Sequence, residues 1–207
     1  MTLDLVLAFV GVAFHASIAP GPSNFLLLAS GANFGLRRSL PLFLGISLGF
    51  LIVILVFGLG FERVFGAPPA VFITLKVICA GYVLWLAWKV ARSAVPEGDA
   101  GTPAARPISF LQALGFQMVN PAAWLVGFII VVSYAAGESS GDSIVSRVLL
   151  LTAVFGAVNL PSIGLWVMLG MGLRRLLGDA GKLRIFNIVI ALLLVVWMVP
   201  SLLGAVF

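Results

Sequence analysis

Apolar residues run along this chain in long uninterrupted stretches. No Asp, Glu, Lys or Arg occurs within residues 5–36, 39–61, 107–137, 148–173 or 185–207. Each stretch exceeds the roughly 20 residues that carry a helix across a bilayer core. Read by length and by Gly, Pro and charge punctuation, the pattern predicts helical spans at 5–33, 40–61, 70–90, 108–136, 148–171 and 185–206. The chain is thus expected to be an all-α membrane protein with six transmembrane helices. Only 93–106, with Pro96, Glu97, Gly98, Asp99 and Gly101, reads as a solvated linker.

Composition agrees. Of 207 residues 62% are hydrophobic and 9% charged, with a mean hydropathy of +1.21. A soluble domain carries about 25% charge, so soluble enzymes and nucleic-acid modules are largely excluded. The pI of about 10.2 does not revive nucleic acid as a partner, because the basic residues sit between spans, where topology accounts for them. Assigned alternately to the two membrane faces, Arg37, Arg38, Lys89, Arg92, Arg106, Arg174, Arg175, Lys182 and Arg184 share one side. Arg63 and Arg147 fall on the other. The richer side is expected to be cytoplasmic, with both termini outside. Trp85 and Trp88 suit an interfacial belt beside Lys89 and Arg92. The first stretch lacks a basic leader and a small-residue cleavage site, and reads as a retained helix. Cys79 stands alone, which leaves no intrachain disulfide, CxxC pair or thiolate metal cage.

Two spans are too long for straight crossings, and proline interrupts both. The first breaks at Pro20-Gly21-Pro22 and the fourth at Asn120-Pro121. Proline lacks an amide donor and displaces the carbonyl four residues earlier, so each break frees polar backbone where no water can serve it. The breaks lie 101 residues apart, each opening a set of three spans. Three is odd, so the halves face opposite ways: two inverted three-helix repeats, 1–92 and 107–207, joined by 93–106. Paired broken helices of this kind meet at a midplane binding site, one half rocking against the other.

After the first break the helix resumes at Ser23 and Asn24, its leading N–H groups forming a positive dipole end suited to a carboxylate. The carbonyls around Ser17 and Ile18 are expected to be free for an ammonium group. A proline kink satisfied by neighbouring helices is the competing explanation. Asn120, at the second break, and Asn159, two residues before Pro161, are further binding candidates, although amides also join helices. Asn33, near the cytoplasmic end, is expected to be solvated or to cap. The titratable basic groups within spans are His15 and Lys76. His15 suits a proton-coupling role or neutral packing, and Lys76 a charge role or snorkelling to the interface. Gly31, Gly35, Gly45 and Gly49 are expected to let helices approach closely, and such faces also suit a homodimer. One histidine and no acidic cluster leave no metal or cofactor site and no hydrolase pattern.

The segments Pro20-Gly21-Pro22-Ser23-Asn24, Gly35-Leu36-Arg37-Arg38, Gly45-Ile46-Ser47-Leu48-Gly49, Leu75-Lys76, Gly81-Tyr82-Val83-Leu84-Trp85-Leu86 and Asn120-Pro121 resemble those of the lysine exporter (LysE/RhtB) family of amino-acid efflux transporters. Runs at 45–55, 81–91, 106–110 and 186–195 are most similar to its cysteine/O-acetylserine branch. The family commonly has lysine after the second Asn-Pro, where this chain has Ala122, and many members carry an acidic residue where Asn159 stands. Both departures remove charge. The resemblance implies a secondary transporter of the bacterial inner membrane, driven by protons or membrane potential, that exports a small neutral amino acid. Homoserine or threonine, leucine or a basic amino acid are the alternative substrates. Outside this class stand a membrane thiol or redox carrier and a metal exporter.

Overall fold

The computed structural model describes residues 2–65, 69–93, 106–135 and 143–202, and among them every regular element is helical. In chain order these are α1 (Leu3–Ile18), α2 (Pro22–Phe65), α3 (Pro69–Ala91), α4 (Phe110–Val119), α5 (Pro121–Ile130) with a π-helical turn at Val131–Ala135, α6 (Ile144–Leu177) and α7 (Ala180–Leu202). Four stretches are long and apolar enough to cross a membrane: Pro22–Gly60, Ile73–Ala91, Ile144–Leu177 and Ala180–Val199. The bent pair of α4 and α5 makes a fifth. Large apolar side chains face outward along these stretches, among them Ile73, Val77, Leu192 and Val196, as a lipid-facing surface requires. The 94–105 part of the expected linker lies outside the described residues.

Helix α2 is not one rod. At Gly35 the backbone takes φ 73° and ψ −179°, a region essentially restricted to glycine. The hydroxyls of Ser30 and Ser39 lie 2.7 Å apart, whereas nine residues of continuous helix would separate them by about 13.5 Å. The chain therefore folds back at Gly35. This corrects the role expected for that glycine: it is a turn residue, and a methyl group added there would meet nothing within 4 Å.

The other expected glycines do mediate contact, all within this chain. A Cβ at Gly45 would lie 2.5 Å from the Phe110 carbonyl oxygen, and one at Gly49 would lie 2.5 Å from Gln117 Cβ. This presses the second arm of α2 against α4. The first arm crosses α6 through a reciprocal pair. Gly31 faces the backbone of Val167, and Gly170 faces the backbone of Leu28, each with no room for a methyl group. Helix α3 packs on α7 and, more lightly, on α4. Tyr82 donates to the Gln112 carbonyl at 2.8 Å, and Lys89 reaches the Gln112 side chain at 2.9 Å.

Asn33 is also corrected. It is buried and exchanges two hydrogen bonds with Asn187 of α7, at 2.7 and 2.8 Å. Helix α6 outruns its expected span at both ends because Ser143 caps its start, accepting from the Ser146 N–H, and Arg174 and Arg175 fill its last turn. Gly178, at φ 68°, ends it. The Asp179 carboxylate then accepts from the Lys182 N–H at 2.8 Å, which holds that carboxyl below its ordinary range. At the end of α3, Lys89 lies over Trp85 and Arg92 over Trp88, at 5.3 and 4.7 Å from the ring centres, as the expected interfacial belt requires.

Candidate functional site

The two breaks meet. Helix α1 ends at Ile18 and α2 begins at Pro22, while α4 and α5 bend by 66° about Asn120. Ser23, on the first turn of α2, donates to Gln117 Oε1 of α4 at 2.8 Å. Asn120 Nδ2 donates to the same oxygen at 2.9 Å and approaches Ser23 Oγ at 3.4 Å. One amide oxygen thus joins the broken helices.

Each break is served by one asparagine and one tryptophan. At the first, Asn24 Nδ2 donates to the carbonyls of Ser17 and Ala19 at 2.9 and 2.7 Å. The Ile18 carbonyl, whose helical partner would be the N–H that Pro22 lacks, accepts from Trp166 Nε1 of α6 at 3.2 Å. At the second, Asn120 Oδ1 accepts from the Ala122 N–H at 3.1 Å. Trp124 Nε1 reaches back to the Met118 carbonyl at 2.8 Å. A buried carbonyl or N–H without a partner is costly; Asn24, Trp166 and Trp124 remove that cost for carbonyls and Asn120 for an N–H. The expectation that carbonyls around Ser17 and Ile18 are free is therefore corrected: side chains occupy them.

Beside the breaks lies a partly open cavity of about 320 Å³, a volume within the range of small-molecule sites. Its wall includes Ser17, Pro20, Gly21, Pro22, Ser23, Asn24 and Asn120, with Phe50, Val126, Ile163 and Trp197 supplying apolar surface. Of the sequence candidates, His15 borders the cavity. Asn159 stands behind it, donating to Ser17 Oγ at 3.0 Å. Pro121 lines a small adjoining hollow with Cys79, Phe116, Leu194 and Met198. Lys76 lies half-buried on α3 and borders neither space. The first N–H groups of α2, on Ser23 and Asn24, precede its first turn-closing bond, from Phe25 N–H to the Gly21 carbonyl at 2.9 Å.

The sequence reading passed over Gln117. It is fully buried, and the available signal was an amide one helical turn before Asn120 within an uncharged span. Around the site, the buried side-chain atoms without partners among the described residues are Oδ1 of Asn24, Oδ1 of Asn159 and Nε2 of Gln117. Among the described residues no three His, Cys, Asp or Glu side chains gather into a metal site. The arrangement offers neutral donors and acceptors around a space bounded by apolar surface. That chemistry suits binding a small polar molecule.

Residues 14–200 match the family model described as LysE type translocator. The chain is 36% identical over 196 residues to proteins named cysteine/O-acetylserine efflux protein from Escherichia coli (strain K12) and Shigella sonnei (strain Ss046). The aligned part covers 94% of this chain and 96% of each relative. No solved structure matches it.

Proposed function

This chain belongs to the LysE family of translocators and is a multi-pass bacterial membrane protein, and from that premise we propose that it exports cysteine, O-acetylserine or a similarly small neutral amino acid. The substrate follows the relatives' names. Its neutrality accords with a cavity wall whose single ionisable side chain is His15. The observation that carries the site is the convergence of both proline breaks on that cavity.

The chain crosses the membrane six times: α1 with residues 22–34, residues 36–65, α3, α4 with α5, α6, and α7. Crossings one to three and four to six form inverted repeats joined by a cytoplasmic linker at 93–106. The basic residues at 37, 38, 89, 92, 106, 174, 175, 182 and 184 face the cytoplasm, and the termini lie outside. The protein resides in the inner membrane. Export draws on the proton gradient or membrane potential, and the cavity opens to the two sides in turn. Pro20, Gly21, Pro22, Ser23, Asn24, Asn120, Pro121 and Asn159 build the binding site, and His15 is placed to exchange a proton.

Proteoliposomes loaded with unlabelled cysteine under reductant, or with O-acetylserine, should accumulate labelled substrate by counterflow well above empty liposomes. Asn120→Ala removes a helix cap, a loss of about 1 kcal/mol, and also the bond to Gln117. Counterflow should fall about tenfold or more, since each 1.4 kcal/mol of lost binding is a factor of ten, while the variant still purifies as a folded protein. Wild-type counterflow in a folded Asn120→Ala protein would remove the break from the site. A redox carrier would need a second thiol, and Cys79 is the chain's single cysteine. Cys79→Ala should therefore transport at close to the wild-type rate. Lost counterflow with retained folding would return the thiol to consideration.

A further inference from the structure

Beside the double break, three amides each keep one buried polar atom without a partner: Oδ1 of Asn24, Oδ1 of Asn159 and Nε2 of Gln117. Their residues are 5%, 0% and 0% exposed. Native proteins leave only a few such atoms per 100 residues, so three in one cluster call for something that completes them.

They are sorted by polarity. The two acceptors share Ser17, since Asn24 donates to its carbonyl at 2.9 Å and Asn159 to its hydroxyl at 3.0 Å. The donor lies on the other flank, where Gln117 Oε1 is filled by Ser23 and Asn120 and its Nε2 is left over. On that flank also begins α2, with the leading N–H groups of Ser23 and Asn24 and the positive end of its dipole. Asn24 belongs to both flanks: its side-chain oxygen is one of the acceptors and its backbone N–H one of the leading donors of α2. An α-amino acid carries an ammonium, which donates, and a carboxylate, which accepts, on one carbon.

Resting on the exporter reading, we propose that these amides bind the transported amino acid as a zwitterion. The oxygens of Asn24 and Asn159 receive the ammonium group. Nε2 of Gln117, with the leading amides of α2, receives the carboxylate. Backbone carbonyls take no part, being already bonded to Asn24 and Trp166. Because no side chain at either pole carries charge, a ligand with both ends ionised matches the site, and one with a single charge leaves one pole unmatched. The side chain of the substrate is then held by the apolar wall, outside the recognition of its backbone.

The test uses the full chain in detergent and ligand-induced shifts of the unfolding midpoint with three probes: cysteine, cysteine methyl ester and N-acetylcysteine. Wild type should be stabilised by cysteine and by neither derivative. Asn159→Asp, an isosteric change that gives the ammonium a carboxylate, should gain binding of the methyl ester and still reject N-acetylcysteine. Gln117→Glu should weaken cysteine tenfold or more, about 1.4 kcal/mol or above, and should still reject N-acetylcysteine. Wild type that binds either derivative as well as cysteine overturns the assignment, and so does a folded variant with the wild-type ligand profile. Should a variant not fold, the wild-type comparison still decides. A wild type stabilised by neither cysteine nor O-acetylserine, and inactive in counterflow with both, would instead bring down the exporter reading beneath it.

Discussion

Asn24→Leu is expected to abolish counterflow and to cost about 2 to 6 kcal/mol of stability, because it strips the donor from two carbonyls at once and each buried unsatisfied group costs about 1 to 3 kcal/mol. Asn24 is the sole donor bonded to both Ser17 and Ala19 across the first break, and leucine offers no N–H to either. Two consequences separate this from ordinary loss of packing. The thermal midpoint should fall by several degrees, and the protein that remains folded should still fail to carry substrate. Phe14→Ala on α1, whose ring is half exposed on the outer surface, should change neither property appreciably. Counterflow by Asn24→Leu at even a third of the wild-type rate would show that the break tolerates unserved carbonyls and that Asn24 is not needed there.

Gly170→Ala should have the second large effect, and on folding. A methyl group there would overlap the Leu28 carbonyl oxygen and come within 2.9 Å of the Ala32 nitrogen. Both are backbone atoms of a packed helix and cannot swing aside. Gly31→Ala meets the Val167 backbone in the same way. Each change should destabilise by about 1 to 3 kcal/mol or more, the usual range for overpacking. Because both force apart the same crossing of α2 and α6, the double variant should lose less than the sum of the two. Gly81→Ala, where an added methyl group meets nothing within 4 Å, should fold like wild type or slightly better, as alanine improves a helix. Thermal unfolding and monodispersity in detergent check all four proteins. A Gly170→Ala protein as stable as Gly81→Ala would mean that the crossing is looser than the packing implies.

The proline breaks were legible in the sequence because a missing N–H belongs to one residue and needs no partner to be recognised. Their meeting followed from counting spans, yet the atoms that join them did not. Ser23 and Gln117 lie 94 residues apart, and nothing local to Gln117 distinguishes a bridging amide from one that binds helices together. Asn33 was misjudged for the same reason: its position near a span end suggested solvent, and its partner Asn187 is 154 residues away. Gly31 and Gly35 have the spacing of a helix contact, but only Gly31 is one. The spacing is identical whether the second glycine touches a neighbour or turns the chain, and positive φ leaves no trace in apolar periodicity. The carbonyls before Pro22 were rightly read as deprived of their helical donors. That Asn24 turns back seven residues to serve Ser17 is a rotamer choice, set by tertiary packing and invisible to pattern.

The tight crossing of Gly31 and Gly170 bears on how such a molecule can flex. It clamps the first arm of α2, from the amino-terminal half, to α6, from the carboxyl-terminal half. The second arm of α2 is seated equally closely on α4 through Gly45 and Gly49. The two halves of the chain interlock at both of these crossings. A motion between these parts would have to work at the joints where helix is interrupted, the gap between Ile18 and Pro22, the corner at Asn120 and the reversal at Gly35, and so would have to exchange the hydrogen bonds that Asn24, Trp166 and Asn120 make there.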